Sequence, residues 1–182
     1  MNIKHIWGLF LLCLLIGFVL VIPLIPLSVE KKIPEPVFAK LDPTQLSANQ
    51  LSPEHALVFF GFRGCSDICP TTLMVLADLL NNEPLPVNWP QVIFVDVGKD
   101  SNAVMADRYA KQFHKNFIGV YPSAAELATL SGLFGLNIRE VGNQIIHQGR
   151  TYLLQKRDNN WWLTTSYNPD NFSVETLAKK IY

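Results

Sequence analysis

Cys65 and Cys69 are the residues of this chain best suited to chemistry. They lie in the run Gly61-Phe62-Arg63-Gly64-Cys65-Ser66-Asp67-Ile68-Cys69-Pro70. A proline is tolerated only in the first turn of a helix, so Pro70 predicts a helix beginning around Ser66 or Asp67, with Cys69 inside it and Cys65 just ahead of it. A helix N-terminus favours an anion, so a thiolate is stabilised there. Arg63 can add to that effect or simply stand as a solvated loop charge. Side chains four apart on a regular helix have Cβ atoms about 5–6 Å apart, whereas a disulfide wants about 3.5–4.5 Å, so a bridge requires Cys65 to swing in from the loop. A metal ion touching both sulfurs at about 2.3 Å, the distance typical of a zinc thiolate, accepts the wider separation. Three readings stay open at this point: metal ligation, thiol–disulfide exchange, and a structural disulfide. The last would close so short a loop that the chain-entropy return is only about 2 kcal/mol.

The third cysteine, Cys13, lies in an apolar run and follows Leu12 rather than a small residue. It reads as a soft apolar side chain, not as a lipid-attachment site. His147, in Gln144-Ile145-Ile146-His147-Gln148-Gly149, reads by itself as a strand-end histidine paired with backbone or as a ligand. His5, His55 and His114 have no cysteine nearby in sequence and carry no functional expectation.

Several elements must position these groups. Ala56-Leu57-Val58-Phe59-Phe60-Gly61-Phe62 is a continuous apolar run of strand length, as expected of a strand buried on both faces. Leu73, Val75, Leu76, Leu79 and Leu80 follow at helical spacing up to Asn81-Asn82. Gln91 to Val97 reads as a second buried strand, and Asn102 to Phe113 as a helix with Val104, Tyr109 and Phe113 among its inward candidates. Strand, helix and strand in this order imply a parallel crossover unit. Ala124 to Phe134 is another helical stretch, ended by Gly135. Thr151 to Gln155 and Trp161 to Thr165, separated by Asp158-Asn159-Asn160, read as an antiparallel hairpin, with Trp161 and Trp162 as one core and one surface aromatic. Ser173 is the expected N-cap of a final helix, with Glu175 in its first turn and Lys179 and Lys180 in its last. The order βαβα, hairpin, α is that of a thioredoxin-like α/β domain: a central mixed sheet flanked by helices.

The chain has 182 residues, 49% of them hydrophobic, enough for one ordinary domain plus a short extra segment. Fifteen basic and fifteen acidic residues cancel, so no basic stripe is available for a phosphate backbone, and nucleic acid is not an expected partner. From Ile6 to Leu27 no residue is charged, a stretch long enough to span about 30 Å of hydrocarbon as one N-terminal transmembrane helix. A cleaved signal peptide fits less well, because its apolar region is usually about 7–15 residues and no small-x-small site follows. Pro34, Pro36, Pro43 and Pro53 then mark a tether. The expected organisation is a membrane anchor over 1–28, a linker over 29–54 and a thioredoxin-like domain over 55–182.

Phe60-Gly61-Phe62-Arg63-Gly64-Cys65-Ser66-Asp67-Ile68-Cys69-Pro70-Thr71-Thr72-Leu73 resembles the signature of the Sco/SenC family of copper-handling thioredoxin-fold proteins. Asp96 and Asp100 stand where that family has Asp-Pro-x-Arg-Asp. Phe113-His114-Lys115-Asn116-Phe117-Ile118-Gly119 is similar to its Phe-His-Pro-x-Phe-Ile-Gly, and His147 falls where it has a copper histidine. The resemblance implies a copper ion held by Cys65, Cys69 and His147. Two thiolates and an imidazole suit copper, since thiolate selects Cu(I) and imidazole accepts Cu(II) as well. It also implies a bacterial inner-membrane protein with one N-terminal helix and its domain facing the periplasm. Its partner would be the copper-binding subunit of cytochrome c oxidase or another thiol or copper protein. Two functions follow from the resemblance: a metallochaperone, and a thiol:disulfide oxidoreductase using Cys65 and Cys69 as a redox pair. The sequence departs from the family at Gly64, where a histidine is usual, at Ser66, where proline is usual, at Ile146, where an acidic residue is usual, and within Asp96-Val97-Gly98-Lys99-Asp100. Losing the acidic neighbour of His147 weakens the outer shell that orients a metal ligand.

Overall fold

The structure is a computed structural model and describes residues 7, 10–17, 30–33, 54–81, 90–141, 144–158, 160–169 and 172–181. Strand β2 (His55–Gly61) is buried at every position, which a strand achieves only in the middle of a sheet covered on both sides. It pairs in parallel with β3 (Gln91–Asp96) and antiparallel with β7 (Thr151–Arg157). With β1 (Lys31–Lys32), β4 (Ile118–Val120) and β8 (Asn160–Tyr167) they form one sheet in the order β1-β8-β7-β2-β3-β4. A separate small ribbon pairs β5 (Arg139–Val141) with β6 (Gln144–Ile146).

Alternation along each strand divides the core into two layers. Ala56, Val58, Phe60, Ile93, Val95, Tyr152 and Leu154 pack with Leu130 and Phe134 of helix α3 (Ala124–Phe134). Leu57, Phe59, Val92, Phe94 and Leu153 pack with Leu73, Leu76 and Leu79 of α1 (Ile68–Asn81), Ala110 of α2 (Ala103–Phe113) and Leu177 of α4 (Val174–Ile181). This is the mixed, helix-flanked sheet expected from the sequence.

Helix ends follow their local signals. Asn102 accepts from the Met105 amide at 3.0 Å and starts α2. Ser123 and Glu126 form a capping box ahead of α3, and Gly135 ends that helix in the left-handed region at φ 63°. Ser173 accepts from the Thr176 amide at 3.2 Å, as expected of the cap of α4. The hairpin turns at Asp158, also at positive φ, and buries Trp161 while Trp162 stays half-buried.

Other expectations are corrected. Val104 is 67% exposed, because the cap places it on the outer side of the first turn of α2, and Ala106 and Ala110 take the inward face. The βαβα reading omits β4 and the β5–β6 ribbon, each strand being only three residues long. Residues 31–33, expected in the tether, belong to the sheet: Lys31 and Lys32 pair with β8 and Ile33 is 2% exposed. Residues 10–17 are helical and exposed, and among the described residues no helix is long and apolar enough to cross a membrane. Apart from Trp7, the rest of the expected 1–28 anchor lies outside the described residues.

Candidate metal centre

The parallel pair β2 and β3 ends at Gly61 and Asp96, and the chemistry gathers just beyond those ends. The loop after β2 turns tightly, the Cys65 amide donating to the Phe62 carbonyl at 3.1 Å. Helix α1 then begins at Ile68, close to the start predicted from Pro70, and the Thr71 amide reaches back to the Asp67 carbonyl. Cys69 is therefore inside the helix and fully buried, whereas Cys65 is half-buried in the loop. Both are free thiols, and the Cys69 amide donates to Cys65 Sγ at 3.4 Å. The first turn of α1 thus aims a backbone N–H at the Cys65 sulfur.

His147 arrives from the opposite direction, just after β6, and brings Nε2 to 3.3 Å from Cys69 Sγ. Its ring meets Phe62 and Phe59 edge-on, with centroids 5.8 and 6.4 Å away. Gly149, at φ 59°, donates its amide to His147 Nδ1 at 3.1 Å, which leaves the proton of the neutral ring on Nε2, facing the sulfur. A side chain at Gly149 would come within 2.7 Å of Ile68, so only glycine lets this turn sit against the start of α1. Gly61 has the same role on the other side: a Cβ there would stand 3.0 Å from Cys69 Sγ and 2.9 Å from the Phe59 ring.

Burial sets the protonation of the site. It pushes the Cys69 thiol well above the ordinary range, helped by its hydrogen bond with Cys65 and by the nearby Asp96 charge. It also lowers His147, which favours the neutral imidazole, the form a metal ligand takes. The sulfur atoms of Cys65 and Cys69 and a ring nitrogen of His147 all lie within 4.8 Å of one another, and they are the one such cluster found among the described residues. Ligands about 2.0–2.3 Å from a common ion span at most about 4.6 Å, so a movement of a few tenths of an ångström lets all three meet one metal. Two soft sulfurs and one imidazole suit copper or zinc better than a hard cation.

Arg63 does neither thing expected of it. It reaches across to the end of β3, with Nε 3.3 Å from Ser101 Oγ and 3.4 Å from Asp96 Oδ2, while Nη2 donates to the Asp100 carbonyl. Asp96 is fully buried and is held further by Ser101 Oγ at 2.5 Å and the Gly98 amide at 2.9 Å. The cysteine loop is thereby pinned to the loop after β3. Sequence reasoning noted both aspartates but had no signal that Arg63 would reach them. Gly64 and Ser66, two of the positions that depart from the family pattern, are both exposed. Of the remaining histidines, His55 is buried at the start of β2, and His114 accepts the Asn116 amide beyond α2. His5 lies outside the described residues.

Comparison with known proteins agrees with this arrangement. The chain is 42% identical over 79 residues to the mitochondrial protein SCO2 homolog of Bos taurus, covering 41% of this chain and 29% of that one. It is 27% identical over 118 residues to an SCO2-like protein of Rickettsia felis, covering 59% and 57%. The match thus spans well under two thirds of either relative. Among solved structures, apo Sco1 from Thermus thermophilus superposes with a TM-score of 0.56 at 31% identity, covering 72% of this chain and 78% of that one. Copper-bound ScoI from Arabidopsis thaliana shares the fold, with a TM-score of 0.62 at 22% identity and coverage of 72% and 84%. The SCO1/SenC family profile matches residues 37–182, so the sheet, the cysteine pair and the histidine that faces it belong together, and the chain is a member of the SCO1/SenC family.

Proposed function

We propose that the protein is a membrane-anchored copper carrier that binds one copper ion as cargo through Cys65, Cys69 and His147 and assists copper insertion into cytochrome c oxidase. In this reading residues 1–28 hold it in a bacterial inner membrane with the domain on the periplasmic side, and the acceptor is the oxidase's copper-binding subunit or a related thiol or copper protein. The observation that carries the proposal is the convergence of two sulfurs and an imidazole nitrogen within 4.8 Å from two sequence-distant segments. The family membership and the copper-bound relatives support it. Loading releases a proton from Cys69, which is a thiol in the free protein, so uptake is favoured as pH rises. Phe59 and Phe62 wall the imidazole and keep bulk water from one side of the donors. Titrating the reduced protein with Cu(I) against a chromophoric competitor should give one ion per chain. Cys65→Ser or Cys69→Ser abolishes tight binding, since a hydroxyl is a poor substitute for thiolate toward Cu(I), and His147→Ala weakens it. Wild-type affinity in Cys65→Ser would refute the ligand set.

One observation favours a second reading, a thiol:disulfide oxidoreductase. Cys65 is accessible and receives an amide hydrogen bond, while Cys69 waits behind it. The Cys65 thiolate would attack a partner disulfide and expel one partner thiolate. Cys69, giving up its proton, would then displace the other, leaving this chain oxidised and the partner reduced by two electrons. The same sulfurs cannot be both ligands and a disulfide, so copper should protect them from alkylation.

A further inference from the structure

The first described residues after the apolar run are built into the sheet. Lys31 and Lys32 pair with Leu163 and Trp162 of β8, and the Ile33 amide donates to the Trp161 carbonyl at 3.0 Å. The Ile33 side chain is buried with Val58, Phe60 and Trp161. Lys31 Nζ donates to the Gly132 and Leu133 carbonyls at the end of α3. Arg157 grips both carboxylate oxygens of Glu30, at 2.6 and 3.0 Å. A strand fixed in these ways is not a tether, so the proline-bearing residues 34–54 connect β1 to β2 and do not separate the domain from the apolar run. Only Ser28 and Val29 lie between Leu27 and Glu30. Three Cα–Cα steps of about 3.8 Å bound that span at about 11 Å, and the headgroup layer takes up about 5–7 Å of it.

This short reach keeps both strand ends of the sheet off a bilayer. Lys31 stands level with Leu163, Leu154 and Ala56. The site end of the sheet, at Gly61, is four residues beyond the level of Glu30, about 13 Å at 3.3 Å per residue. The hairpin end, at Arg157 and Asn160, is about as far in the other direction. Both exceed what two headgroup-embedded residues can bridge, whereas the β1 edge is at the attachment point itself. We propose, resting on the membrane-anchor reading above, that the domain stands on the bilayer by its β1 edge, with the strand order β1-β8-β7-β2-β3-β4 running upward from the surface. Lys32, exposed on that edge, offers a cation to anionic headgroups. The donors beyond β2 then sit three strand spacings up, about 14 Å above the edge, and open sideways. They fit a thiol or copper site carried at similar height on the extramembrane part of a membrane-embedded protein, and not one lying flush with the headgroups.

The test uses the full chain in phosphatidylcholine–phosphatidylglycerol vesicles bearing a rhodamine headgroup acceptor. A donor dye is placed on an azide-bearing residue at Ser166 of β8 or at Lys115 just before β4, with all three cysteines retained. The two positions are four strand spacings apart, about 19 Å, so transfer at Ser166 should exceed that at Lys115 by about twofold. Inserting about twelve Gly/Ser residues between Ser28 and Val29 restores a flexible tether and should erase the difference. Ile33→Asp with Arg157→Ala, which releases β1, should do the same. Equal transfer in the natural chain, or a difference that survives the insertion, overturns the edge-on arrangement. Flotation after an alkaline wash separates the two ideas: protein that fails to float overturns the anchor reading and this arrangement with it, whereas protein that floats with equal transfer overturns only the arrangement.

Discussion

The two cysteines are four residues apart and are held by different means. Cys69 belongs to the core: it is fully buried in α1, with Leu73 and Phe94 in the same cluster and Gly61 leaving room for its sulfur. Cys65 belongs to the surface and keeps its place through a tight turn and the Arg63 contacts to Asp96, Asp100 and Ser101. Packing resists displacement more strongly than a partly exposed polar network does. In the copper-carrier proposal the pair would be a fixed ligand and a more movable one, which suits a site that would both hold an ion and release it.

The sharpest way to break the comparison is to remove each sulfur. Either Cys→Ser variant loses tight copper binding, but their stabilities should separate. Cys69→Ser puts a hydroxyl into the core and costs about 1 kcal/mol, the low end of the burial penalty because His147 Nε2 faces it. Cys65→Ser stays within about 0.5 kcal/mol of wild type. Urea denaturation of the apo proteins measures both, and equal losses would erase the distinction.

Gly61→Ala attacks the fixed ligand without touching it. The new methyl meets Phe59, Cys69 Sγ and Phe94 at 2.9, 3.0 and 3.1 Å, so overpacking should cost about 1–3 kcal/mol and lower copper affinity together. Arg63→Ala attacks the movable one. Asp96 keeps its Ser101 and Gly98 donors and Arg63 is itself partly exposed, so the stability loss should be about 1 kcal/mol, below that for a fully buried pair. Copper affinity should nevertheless fall by about tenfold, as when an outer-shell contact is removed, and Cys65 should alkylate faster. A stability loss with unchanged affinity would make the clamp purely structural.

The smallest effects come from pH. Burial lowers His55, His114 and His147, so the unfolded chain binds more protons than the folded one and stability should fall as pH drops below about 6.5. Cys69 is shifted upward, so the folded chain keeps a proton that the unfolded one releases, and stability should also fall as pH rises past about 8.5. Cys69→Ser should flatten that alkaline limb between about pH 8.5 and 10 in urea titrations. An unchanged limb would show that the thiol is not held neutral by the core.

Composition and spacing alone determined the central strands, the helices and the place of the cysteine pair. Those signals are local: a run apolar on both faces at Ala56–Phe60, a cap at Ser173, a stop at Gly135, and a proline that confines the helix start to the few residues before it. The resemblance to the Sco/SenC signature added His147 as an expected ligand, but the residues around it left its role open. Tertiary structure decided that the imidazole meets Cys69 across 78 positions of sequence, that Arg63 serves Asp96 rather than the thiolate, and that Lys31 and Lys32 close a sheet edge. No periodic pattern encodes such pairings, because each is a contact between segments whose own conformations are set elsewhere. Three-residue strands such as β4, β5 and β6 fail for a related reason: they hold their shape through neighbours, and too few residues are present for alternation to register.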